Sequence, residues 1–137
     1  MNRMDDVRAA IDRRRLQWTR VVNAGNLDEY SDLVAVDVVW LPPRGTAIRG
    51  REAFKEWLQP FFQSFSYHFQ VEPLELRVSD RWCAESGRFM SKLTPTGGGT
   101  TQEHRGAYTV LWRLDEVDGK WRIERYIDGF GGHLEKD

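Results

Sequence analysis

Metal binding is the first chemistry to test, because the chain carries His68, His104, His133 and a single cysteine, Cys83. None of these stands at the close spacing of a ligand pair such as His-x-x-x-His or Cys-x-x-Cys. No metal and no cofactor are expected. Nucleophilic catalysis has no better basis: Gly-x-Ser-x-Gly is absent, and Ser86-Gly87 falls within a strand pattern. Gly97-Gly98-Gly99 is glycine-rich but joins two strand patterns. A phosphate cradle needs a helix N-terminus after its glycines, so this run reads as a hairpin tip. Histidine titrates near neutrality, and His104 would be a usable base if buried beside a carboxylate. On a wet strand it would be a surface residue.

The elements that would position such groups follow from hydrophobic period. Met4, Val7, Ile11, Trp18 and Val22 share one face of a helix from about Met4 to Ala24, with Asp5 and Asp6 near its positive end. Arg14 and Arg15 lie on that face, one turn before Trp18. Their stems are expected to snorkel from the core edge to solvent; the functional alternative is a cationic rim on a pocket that Trp18 lines. Gly25 reads as a left-handed helix end and Asn26 as the N-cap of a short helix, about Leu27 to Val34. Val36 to Leu41 is apolar at almost every residue, so both faces of this strand should be covered. Pro42-Pro43 ends it, and Ile48-Arg49 returns.

Gly50 opens a third helix, about Arg51 to Phe65. Ala53, Phe54, Trp57, Leu58, Phe61, Phe62 and Phe65 form its broad apolar face. That face reads as the cover of a sheet rather than a cofactor box. Pro60 should kink this helix or end its regular part. The period then changes to two, predicting strands at about Tyr67–Ser79, Trp82–Leu93, Gln102–Leu114 and Lys120–Asp128. Pro73 marks a bulge, Asp118-Gly119 a hairpin turn, and Gly129-Phe130-Gly131-Gly132 a loose tail.

Length and charge narrow the class. At 137 residues the chain is expected to be one domain, 1–137, with a core at about 7–130. Twenty basic residues against 21 acidic ones give no global case for nucleic acid or an anionic membrane. The lone cysteine cannot form an internal disulfide. No apolar run approaches membrane-spanning length, and the charged start does not look like a signal peptide. The expected location is the cytoplasm. Six Trp and seven Phe suit either an aromatic core or a ligand pocket.

Two stretches carry a resemblance: Leu41-Pro42-Pro43-Arg44-Gly45 through Ile48-Arg49-Gly50-Arg51-Glu52-Ala53-Phe54, and Asp118-Gly119-Lys120-Trp121-Arg122-Ile123. With the helix–Asn-Ala-Gly-Asn-Leu-Asp–helix opening, the chain resembles the nuclear transport factor 2-like superfamily, in its SnoaL-like and DUF4440 branches, from about Val7 to Phe130. The resemblance implies an α+β cone: three N-terminal helices packed on a strongly curved, mainly antiparallel sheet. It also implies pairing of two copies through the convex sheet face.

The same resemblance supplies the site expectations. Ketosteroid isomerase, a member that uses an Asp base with a Tyr and a protonated Asp as oxyanion donors, maps poorly: its Tyr falls at Trp18, its base near Pro42 and its protonated Asp near Tyr108. The epoxide-hydrolase branch uses Asp-Arg-Asp, of which Arg125 and Asp128 would be a part. The polyketide-cyclase branch relies on an Asp near the end of the last strand, and Asp128 in Arg125-Tyr126-Ile127-Asp128 is most like it. The cone should therefore hold Trp18, Trp40, Phe54, Trp57, Phe89, Tyr108 and Trp112. Asp128, His104 and Tyr108 are the candidate catalytic groups, and Arg125 and Arg14 the candidate polar ligand contacts. The expected function is binding of a small apolar or aromatic molecule, with acid–base turnover of isomerase, cyclase or hydrolase type. The alternative is a non-catalytic association or ligand-binding module acting as a dimer.

Overall fold

The first helix, α1 (Arg3–Ala24), starts where the Asn2 side chain accepts the Asp5 N–H at 2.8 Å and stops at Gly25, whose φ of 64° suits a residue without a Cβ. Asn26 caps α2 (Leu27–Leu33) in the same way. The chain continues through β1 (Val34–Leu41), β2 (Ile48–Arg49), α3 (Arg51–Ser64), β3 (Phe65–Val78), β4 (Trp82–Pro95), β5 (Gln102–Leu114) and β6 (Trp121–Phe130). This computed structural model describes residues 2–43 and 45–130. His133 and Gly131-Gly132 lie outside the described residues.

The strands form one sheet in the order β2-β1-β6-β5-β4-β3. The β1–β6 pair is parallel and the others are antiparallel. Register shifts at Val34/Val39, Pro73/Glu75 and Leu111/Trp112 interrupt three ladders. Such bulges add twist and bend, and they let a long sheet curve around its helices. α1 packs on β3 and β6, α2 closes over β6 and β1, and α3 lies over β1, β2 and β3. Asn23 ties the end of α1 to the edge strand: it accepts the Phe69 N–H at 2.6 Å and donates to the Phe69 carbonyl at 3.2 Å. These bonds satisfy backbone groups an edge would otherwise expose. The architecture is the expected α+β cone, three helices on a curved, unclosed sheet.

Three local expectations change. The apolar run in β1 is not covered throughout: Val36 is 69% exposed and Asp37 is exposed, because the shift between Val34 and Val39 lifts this segment out of the β6 ladder. Pro60 does not end α3, which runs on to Ser64. Pro60 and Glu56 both face solvent, so the carbonyl that loses its N–H partner can be hydrated. Gly129 and Phe130 belong to β6 rather than to a tail.

Register decides which residues look inward. Trp40, Tyr126, Val110 and Glu85 are successive partners across β1, β6, β5 and β4 and share one face. The next inward row is Asp128, Tyr108 and Gly87. These are the positions the helices cover.

Candidate functional site

Two carboxyl groups enter the cone, and their surroundings differ. Glu85, on β4, is fully buried. Arg15 approaches it from α1 with Nε at 3.0 and 3.1 Å from the two oxygens and Nη2 at 2.7 Å from Oε1. The Tyr108 hydroxyl donates to Oε2 at 2.5 Å and Trp112 Nε1 to Oε1 at 3.3 Å. Asp12 holds the far side of the guanidinium at 2.7 Å. Burial opposes the Arg15 charge, but the bonds to Glu85 and Asp12 outweigh it, and its pKa is raised. Burial, and then the bond to Glu85, raises Tyr108. Gly87 makes room for this arrangement: a Cβ there would meet Tyr108 Cε1 and its hydroxyl at 2.8 Å and the Glu72 carbonyl at 2.3 Å.

Asp128, on β6, has one donor. The Tyr126 hydroxyl gives its proton to Oδ2 at 2.6 Å, while Oδ1 is buried without a hydrogen-bond partner. Burial raises the Asp128 pKa, and the Tyr126 bond only partly opposes this. Burial and then the neighbouring Asp128 charge raise Tyr126. A carboxyl held this way keeps its proton more readily than a free aspartate.

Aromatic rings surround it. Trp40 stacks on Tyr126 with centroids 4.0 Å apart and meets Tyr30 edge-on at 6.1 Å. Trp18 touches Tyr126, Tyr108, Trp112 and Phe69, and its Nε1 donates to the Tyr30 hydroxyl at 3.0 Å. Trp18 thus connects the Glu85 cluster to the Asp128 cluster. Farther out, Phe62 lies against Tyr30 and Tyr67, and Trp57 against Phe54 and Phe61. Phe62, Trp57 and Tyr67 are half-buried, so this aromatic rim reaches solvent. Burial pushes the Tyr67 hydroxyl up to about 12.

The sequence-derived candidates separate accordingly. Asp128, Trp18, Trp40, Phe54 and Trp57 meet in or beside one cluster. Tyr108 and Trp112 face inward but are engaged with Glu85. His104 shares the inward face with Ser91 and Phe69, yet it stands four residues along β5 from the Tyr108–Asp128 pair, roughly 13 Å at strand spacing. It does not form a pair with Asp128, whose bonded partner is Tyr126. Arg125 pairs with Val39 and Leu111 on the opposite face and is exposed, so it does not line the cone. Arg14 turns to the start of β6, donating to the Trp121 carbonyl at 2.6 Å and to Gln17 at 2.9 Å. Burial lowers its pKa despite nearby Asp32. Arg15, expected to snorkel outward, turns inward because Glu85 is there to receive it.

Phe89 is buried but borders a different space, an open groove of about 1110 Å³ between α1 and β3–β5 that includes Leu16, Arg20, Leu74, Arg88 and Arg105. Neither Asp128 nor Tyr30 borders that groove. It is wide and partly charged, and it lacks the convergent buried polar groups of the Asp128 cluster. Among the described residues no group of His, Cys, Asp and Glu is arranged to hold a metal ion. Glu85 and Tyr30 were not among the sequence candidates, and Arg15 entered only as part of a cationic rim. The signal for Glu85 was its parity with Cys83 and Phe89 in β4; Tyr30 follows Leu27 and precedes Leu33 at helical spacing.

Fold and cone together define a nuclear transport factor 2-like protein. Within that superfamily the chain belongs to the SnoaL-like domain family, whose model matches residues 16–124. Solved structures of the same fold include a nuclear transport factor 2-like protein from Salmonella enterica, with 16% identity, 92% of each chain covered and a TM-score of 0.82. A scytalone dehydratase-like protein from Novosphingobium aromaticivorans has 19% identity, covering 93% of this chain and 87% of its own, with a TM-score of 0.77. A protein likened to the calcium/calmodulin-dependent kinase II association domain, from Xanthomonas campestris, has 22% identity, covering 91% and 85%, with a TM-score of 0.71. A comparison with curated proteins gives no match.

The Glu85 cluster generates a stability prediction. Arg15→Met leaves a buried carboxylate without its counter-charge and should cost about 3–5 kcal/mol. Glu85→Gln, which keeps an acceptor for Tyr108 and Trp112, should cost less. Urea denaturation of the two variants reads both values.

Proposed function

We propose that this protein binds a small apolar cyclic molecule at the aromatic mouth of the cone, with Asp128 as the acid–base group of an isomerase-, cyclase- or dehydratase-type reaction. The observation that carries this reading is the half-buried Asp128 carboxyl, which has a single donor and a buried, partnerless Oδ1. Buried polar atoms are rarely left without a partner, and each exception calls for an explanation such as a catalytic role, a bound water or an ion; among the described residues Arg14 Nη2 is the other one. The dehydratase-like neighbour is in keeping with such chemistry on this fold, although fold likeness alone assigns no activity. His104 and Tyr108 are secondary candidates: the first is displaced along the strand, and the second already donates to Glu85.

Asp128→Asn separates function from folding. The native carboxyl holds its proton more tightly than an unfolded aspartate at its ordinary 3.8. Native stability therefore falls as pH rises from the unfolded value through the raised native value, and stays reduced above it. Removing the carboxylate should leave the variant at least as stable as wild type at pH 7, and flatten that pH dependence. In a thermal-shift screen with cyclic ketones, polycyclic aromatics, terpenoid epoxides and small carboxylates, a ligand at 100 times its Kd adds about 2.7 kcal/mol to wild type. The same ligand should shift Asp128→Asn less. An unchanged ligand response, or a variant clearly less stable at pH 7, contradicts the assignment.

A second reading, association through a sheet face, rests on a separate observation. The outward row Ser86, Thr109 and Ile127, flanked by Ala84 and Ala107, forms an uncharged strip, with Ile127 50% exposed. Arg88, Arg105, Arg113 and Arg125 lie around it. A polar rim about a neutral centre is what a pairing surface requires, and the occupant proposed is a second copy. Sedimentation should give a dimer that Ile127→Arg converts to monomer; a wild-type monomer at micromolar concentration rejects this reading.

A further inference from the structure

The groove of about 1110 Å³ between α1 and β3–β5 is built mostly from side chains that point away from the cone. Leu16 and Arg20 stand two residues before and two after Trp18, so on a helix they lie opposite the ring that fills the core. Arg88 pairs with Glu72 and Ala107, and Met90 pairs with Arg105. These positions alternate with the inward Gly87 and Phe89 and belong to the outer face of the sheet. Leu74 is the extra residue of the Pro73/Glu75 bulge and is 57% exposed, and Leu16 is 65% exposed. Two exposed leucines on different elements therefore border one groove, whose volume is ample for a small ligand.

Charge in the groove is one-sided. Its lining carries Arg20, Arg88 and Arg105 against Glu72 alone, although the whole chain has a formal net charge of −1. Among the described residues nothing pairs with Arg20, whose helical neighbours three and four residues away are Leu16, Gln17, Asn23 and Ala24. Arg88 reaches Glu72 only at 3.9 Å, with both side chains exposed, and such a pair contributes little. Arg105 bonds to Glu103, two residues along its own strand and outside the groove. Arg88 and Arg105 are diagonal neighbours across β4 and β5, with Met90 and Ala107 on the other diagonal. Two guanidiniums thus flank an apolar centre. We propose that this groove binds a free amphipathic carboxylate, a hydrocarbon chain ending in one acid group. The acid is received between Arg88 and Arg105, whose planar forks suit a carboxylate. The chain runs past Met90 toward Leu74 and Leu16. A small hydrophilic anion would leave the leucines in water, a neutral alcohol would leave the guanidiniums unmatched, and a cation would be repelled. The site is separate from Asp128 and does not depend on its chemistry.

The test uses four probes, each below its micelle concentration: decanoate, 1-decanol, decyltrimethylammonium and acetate. Binding to the full chain is read by calorimetry at neutral pH. Wild type should bind decanoate at least tenfold more tightly than 1-decanol, bind neither the cation nor acetate, and lose affinity for decanoate as salt is added. Arg88→Gln/Arg105→Gln should bring decanoate down to the level of 1-decanol. Leu74→Ser should weaken both and leave the preference for the acid. All three positions are exposed, and circular dichroism confirms that each variant keeps its fold. Equal binding of acid and alcohol to wild type, or binding of none of the four, overturns the proposal. Decanoate affinity unchanged in both variants overturns it too, by placing the acid elsewhere on the molecule. Binding to phosphatidylglycerol vesicles without binding of the free acid assigns the arginines to a membrane surface, and uptake of decanoate by Ile127→Arg but not by wild type assigns the groove to a second copy; either result overturns it.

Discussion

The Glu85 carboxylate is the constraint on which the interior depends. Removing a carboxylate from water costs several kcal/mol, and attraction to one cation offsets that only with good geometry and additional donors. Here the donors come from two elements, Arg15 on α1 with Tyr108 and Trp112 on β5, and they converge on a third, β4. The pair therefore fixes the position of α1 over the sheet and the direction of two large rings. Gly87 is part of the same constraint, since Tyr108 occupies the volume a side chain would need. With those rings fixed, Trp18 has one place to pack, and from there its indole N–H reaches Tyr30.

That order explains how two carboxyls in one cone acquire different roles. Glu85 is surrounded by donors and balanced by a guanidinium, an arrangement that holds structure together. Asp128 has a single neutral donor and aromatic walls. Environment rather than residue type divides such pairs into structural and reactive members. Oδ1 of the second carboxyl has no hydrogen-bond partner, and in the proposed reading that is the point a ligand would satisfy.

The elements were more legible in the sequence than the site. The period of two in Gln102–Leu114 matches β5 end for end, and Pro73 does mark a register shift. The Gly25-Asn26 punctuation also falls between α1 and α2 as read. Bulges were harder: nothing in Val34–Leu41 announces that Val36 leaves the ladder. Asp128 was legible only through family resemblance. Its link to Tyr126 follows once strand parity is known, because residues two apart share a face. Arg15–Glu85 joins residues 70 apart, and a charged residue in a strand ordinarily reads as its wet face. Its parity with Cys83 and Phe89 was the available clue. Arg125 was misplaced toward the cone because it lies near Asp128 in the chain, while the alternation of β6 sends it outward.

The chemistry proposed for the cone requires Asp128 to be a proton-retaining acid. The most direct measurement is a carbon-13 titration of the Asp128 side-chain carboxyl in the folded protein, assigned by its disappearance in Asp128→Asn. The expected midpoint is displaced upward from the ordinary aspartate value of 3.8. A midpoint at or below that value would mean that water or another donor already satisfies Oδ1, and would contradict this role for Asp128.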